Sequence, residues 1–204
     1  MATSQFVRLI GDTCEAALVR HGFRRLRRDG IVLEITKDFF GWIGLNVGNY
    51  GGSIRINPFV GIHCVPLMKL ASELCGEKYQ LGRYATFSVH FGEVCPNVEV
   101  FDFWPDIDPL PESDRLATSL QEHGVPYMES YANLEALLPI LESRVPLLGG
   151  YPERTAVAYF LSGRIEDACK FVQAKQAEFL RENAGIRQNF DRFAIPFLRH
   201  AGRA

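Results

Sequence analysis

The 204-residue chain contains no apolar run approaching the ~20 residues needed to span a bilayer as a helix. Its N-terminus, MATSQFVRLIGDTCEAALVRHGF, also lacks the basic-then-apolar order of a secretory leader, so a cytoplasmic location is expected. Cysteines are few and odd in number (Cys14, Cys64, Cys75, Cys95 and Cys169), and none has CxxC spacing. That argues against a disulfide framework or a zinc ribbon and for reduced, mostly buried thiols. No internal repeat is evident. Gly41, Gly44, Gly48, Gly51 and Gly52 suggest a phosphate cradle, but no Lys-Ser/Thr pair follows them. They also lie between two strand-like segments rather than between a strand and a helix, so they read as hairpin glycines.

What is present is globular. Apolar residues make up 47% and charged residues 23%, and fifteen Phe with seven Tyr supply large apolar area for a core. Apolar residues at helical spacing predict a helix over 5–21, stopped by Gly22. The basic stretch Arg24-Arg25-Leu26-Arg27-Arg28 and the Asp29-Gly30 turn come next. Strand character follows over 31–37, 41–47, 53–60, 84–91 and 98–103, with a short helix over 65–76. Ile43, Leu45 and Val47 are expected on one face of the second strand. Phe87, Val89 and Phe91 are expected opposite Thr86, Ser88 and His90. After the stiff Pro105, Pro109 and Pro111 connector, helices are expected over 112–123, 128–141, 153–161, 165–183 and 186–200. The segments 156–161 and 164–180 read as a helical hairpin. The expected fold is α+β. An N-terminal helix packs on an antiparallel sheet of about five strands (residues 1–105), and a helical region (106–204) follows, all in one compact domain.

Charge of one sign is missing from the middle of the chain. Residues 93–143 hold eleven carboxylates and a single cation, Arg115, although the whole chain carries only -2. The densest part is acidic and aromatic: Glu99, Asp102, Trp104, Asp106, Asp108, Glu112 and Asp114. Aromatic anchors in a charged rim are the composition of a protein interface, so these seven residues are the candidate partner-binding set. A calcium loop starting at Asp106-x-Asp108 lacks the glycine and the terminal glutamate of an EF-hand.

Catalytic chemistry finds less support. His63, Cys64, Cys75, His90 and Cys95 lack metal-ligand spacing, so neither a metal nor a cofactor is expected. Five cysteines and five histidines single out no nucleophile–base pair. An enzyme with a cleft on the polar face of the sheet, using His90 or His63, is the alternative expectation. The arginines at 20, 24, 25, 27 and 28 read as a solvated helix end and turn. With a pI of about 6.2, no nucleic-acid partner is expected.

Four segments carry a resemblance: Leu18-Val-Arg-His-Gly-Phe-Arg-Arg, Gly41-Trp-Ile-Gly-Leu-Asn-Val-Gly, Ile56-Asn-Pro-Phe-Val-Gly-Ile-His, and Ala156-Val-Ala-Tyr-Phe-Leu-Ser-Gly-Arg-Ile-Glu-Asp-Ala. The chain resembles small uncharacterised bacterial proteins similar to the immunity partners of polymorphic or contact-dependent growth-inhibition toxins. The resemblance implies a non-enzymatic protein that neutralises a basic toxin domain, such as a nuclease, by covering it. It carries no site residues with it.

Overall fold

The N-terminal apolar stripe forms α1 (Ser4–Arg20), which buries Ile10, Cys14, Ala17 and Leu18. Gly22 ends it at φ 88°. The Phe23 and Gly22 N–H groups donate to the Leu18 and Val19 carbonyls at 3.2 and 3.1 Å, a paired closure that needs a left-handed residue. The same two bonds close α2 (Val65–Leu74) at Gly76 and α7 (Pro152–Leu161) at Gly163. The computed structural model describes residues 4–26, 30–97, 100–144, 151–182 and 184–202.

Two sheets follow α1. The larger has five strands in the order β1 (Arg24–Leu26), β2 (Gly30–Glu34), β3 (Phe39–Gly44), β6 (Phe59–Cys64) and β7 (Phe87–His90). Its β1–β2, β2–β3 and β6–β7 pairs are antiparallel. The smaller is antiparallel, in the order β4 (Val47–Tyr50), β5 (Ser53–Ile56), β8 (Phe101–Phe103). The fold is therefore α+β as expected. Helix α1 packs against α4 (Leu110–Ser119) and also touches β1 and β4.

Several boundaries differ from expectation, each for a local reason. The strand expected over 41–47 stops at Gly44, because Asn46 takes φ 47°, and Val47 is exposed rather than sharing a face with Ile43. The segment 53–60 splits into β5 and β6, which belong to different sheets, at Asn57-Pro58, where proline has no N–H for a ladder. Gly48–Tyr50 is strand rather than loop. The turn is Gly51-Gly52, both at positive φ (61° and 116°), as a two-residue hairpin requires. Part of the basic stretch forms β1. The strand expected over 84–91 shortens to β7, because Phe91 opens α3 (Phe91–Val94). Thr86 is buried and not on a polar face. Asp29, Val98 and Glu99 lie outside the described residues.

Helix α4 runs through a π turn (Leu120–Gly124) directly into α5 (Val125–Ser130), where two separate helices were expected. Pro126 explains the turn. It lacks an N–H, and its ring would crowd the carbonyl four residues back, a clash that one wider turn relieves. The next helix, α6 (Leu134–Arg144), starts where Asn133 Oδ1 accepts the Ala136 N–H at 2.8 Å.

The chain divides into two compact units, Met1–His63 with Leu81–Ala132, and Cys64–Gln80 with Asn133–Ala204. The second contains α2, α6, α7, α8 (Ile165–Glu182) and α9 (Ala184–Ala201). Leu67, Leu137, Val157, Val172, Phe193 and Phe197 are buried in it.

Candidate functional site

The small sheet of the first unit shows how the acidic junction is built. Its inner face buries Ile54, Ile56, Phe101 and Phe103. Strand alternation puts Arg55 and its register partner Asp102 on the other face. Arg55 Nε and Nη2 donate to the two Asp102 carboxylate oxygens at 2.8 and 3.0 Å, and the Tyr50 ring covers the guanidinium at 5.1 Å. The bonds to Asp102 raise the Arg55 pKa further and lock its charge.

Beyond β8 the chain turns. The Ile107 N–H donates to the Trp104 carbonyl at 3.1 Å, and Asp108 Oδ1 accepts the Leu110 N–H at 3.0 Å where α4 begins. These bonds hold three large apolar side chains outward: Trp104 is 51%, Ile107 62% and Leu110 50% exposed. Trp104 and Ile107, with Phe103 and two prolines, border a groove of about 200 Å³ walled by Asp102, Asp108 and Glu112.

Of the seven residues expected to bind a partner, six lie together on this stretch of the first unit, and Glu99 is outside the described residues. Three of the six are already engaged. Asp102 holds Arg55. Glu112 holds Arg115, which also lies over the Phe101 ring at 4.4 Å. Asp114 accepts from Arg20 at 2.5 Å. Among the described residues, Asp106 and Asp108 are in no ion pair. A linear charge count misses this because Arg20 and Arg55 come from the basic flank, delivered by the packing of α1 on α4 and the pairing of β5 with β8. Tyr50 and Arg55 were not anticipated as part of the surface. The only sequence trace of them was the glycine-flanked Tyr50.

The two histidines weighed for catalysis lie apart. His63 is fully buried, and its Nδ1–H donates to the Tyr84 carbonyl at 2.7 Å. His90 caps α3, bonding reciprocally with Glu93, and its ring rests on Phe59 with centroids 4.0 Å apart. Phe59 is the register partner of His90 and lies four residues before His63, so the two backbone positions are about 13 Å apart along the strand direction. Burial pushes the Cys14 and Cys75 thiols up to about 11, away from the reactive thiolate. Among the described residues no three His, Cys, Asp or Glu side chains are placed to hold a metal ion, and no helix is long and apolar enough to cross a membrane. Of the arginine cluster, the three described members are in ion pairs: Arg25 with Glu15 at 2.5 Å, Arg24 with Glu34 at 3.5 Å, and Arg20 as above, while Arg27 and Arg28 lie outside the described residues.

Compared with models of known families, with curated proteins and with solved structures, the chain matches none.

Proposed function

We propose that the chain is a non-enzymatic binding protein that docks a basic protein domain on the Trp104–Ile107–Leu110 surface, in the manner of an immunity protein covering a bacterial toxin. The observation that carries this reading is the set of three large apolar side chains, each half or more exposed, held outward by a braced turn. Tryptophan is the side chain most enriched among residues that dominate interface energy, and it acts best inside a polar rim. Asp106 and Asp108, outside any ion pair among the described residues, supply that rim with negative charge, which speeds encounter with a cationic partner. Asp102, Glu112 and Asp114 are matched by internal arginines and act as scaffold. Five free thiols suit the reducing cytoplasm, where an immunity protein works.

The test uses the product of the neighbouring gene, purified as a domain. Replacing Trp104 and Ile107 together by alanine is expected to weaken binding at least about 100-fold, since dominant anchors cost about 2 kcal/mol or more each. Reversing Asp106 and Asp108 to lysine is expected to slow association and flatten its salt dependence, while Asp102→Asn changes affinity little. Unchanged affinity of the Trp104/Ile107 variant overturns the surface.

A further inference from the structure

A second feature of the first unit shares no residue with the Trp104 surface. A cleft of about 270 Å³ is lined by Gly11 and Glu15 of α1, Arg25 of β1, and the apolar Ile31, Ile43 and Leu45. Sites for drug-sized ligands run from about 300 to 1,000 Å³, so this one suits a smaller molecule.

Its lining has a charged side and an oily side. Glu15 and Arg25 form an ion pair with Arg25 Nη1 2.5 Å from Glu15 Oε2, and the Glu15 side chain is only 21% exposed. Burial raises the Glu15 pKa against the pull of Arg25, as expected of a carboxylate short of water. The half-buried Leu26 and Leu45 and the exposed Val47 form the apolar part, Ile31 and Ile43 being almost wholly buried. Gly11 lies one helical turn before Glu15, on the same side of α1. A Cβ there would meet nothing within 4 Å, so no neighbouring atom accounts for the missing side chain. Glycine inside a helix is nevertheless unfavourable against alanine. The space kept open is the cleft.

We propose that this cleft binds a free α-amino acid with a branched aliphatic side chain: its ammonium on Glu15, its carboxylate on Arg25, and its branch against Leu26, Leu45 and Val47. Both charges are required. A simple carboxylate meets Glu15 and also Asp12, whose Oδ1 is 3.8 Å from Arg25 Nη1. A simple amine engages Glu15 alone and gives Arg25 no new partner.

The full chain, isotope-labelled, is titrated with L-leucine, L-leucinamide and 4-methylpentanoate while amide resonances are followed. Leucine is expected to produce saturable shifts centred on Gly11, Ile31 and Ile43. The two analogues, each lacking one charge, bind at least about tenfold more weakly, as loss of one charge-assisted contact implies. Glu15→Gln, with its fold confirmed by the spectrum, is expected to lose leucine by a similar factor. The proposal is overturned if leucine gives no saturable shifts, if the three ligands bind alike, or if folded Glu15→Gln binds leucine as tightly as the parent.

Discussion

The same substitution has opposite signs at two glycines 11 residues apart. Gly11 is helical with open space at its Cβ position, so Gly11→Ala should stabilise the fold by about 1 kcal/mol in urea titration. Gly22 sits at φ 88°, where any other residue is strained, so Gly22→Ala should destabilise it by about 1–2 kcal/mol. Glu153 adds a pH effect. Burial raises its pKa, outweighing the favourable charge of Arg154, and Glu77 raises it further. The folded chain therefore keeps this proton to higher pH than the unfolded chain does. The stability it contributes is complete below the ordinary carboxylate range and is lost as pH rises through the raised value. Glu153→Gln should thus be more stable than the parent at pH 7, with the difference vanishing near about pH 3, below both ionisations. Stability curves for the two proteins at both pH values check the sign.

Among elements, whatever depends on near neighbours in sequence could be read without a structure. The stripe of α1 and the glycine stops at Gly22 and Gly76 are local, and each appeared where periodicity put it. Pairings between distant segments could not be read. β1 needed β2 to make strand of a basic stretch, and Arg55 needed β8 to find Asp102. The candidate surface suffered the same limit: its position was visible from composition, but its neutralising arginines were not, so the acidity was overstated. The energies on the two faces of the small sheet should differ accordingly. Arg55 and Asp102 are both more than a third exposed, so Arg55→Ala should shift the urea midpoint little. Phe101, fully buried on the other face, should cost about 3–5 kcal/mol on truncation to alanine. Paired urea unfolding curves separate the two.

For the whole molecule, chain order and unit membership do not coincide. The second unit takes residues 64–80 from the middle of the chain and 133–204 from its end. A single cut cannot release either unit intact. A fragment ending at Ala132 would retain α2 without α7 and α9, the helices it packs against, leaving Leu67, Met68 and Leu74 uncovered. Such a fragment is expected to bind a hydrophobic dye strongly and to melt without a sharp transition. A sharply melting, dye-silent fragment would show that α2 needs no partner from the C-terminal helices.

The π turn between α4 and α5 acts as a phase shift. One surplus residue turns everything after it by about 100° around the helix axis relative to an unbroken α-helix. That phase brings Met128 onto Gly41, where a Cβ would sit 2.8 Å from its sulfur. Deleting Gln121, an exposed residue of the turn, would take out the surplus residue, swing Met128 off the β3 backbone and return the Pro126 ring to its clash with the preceding turn. The irregular turn thus sets which side of one long helix faces the sheet.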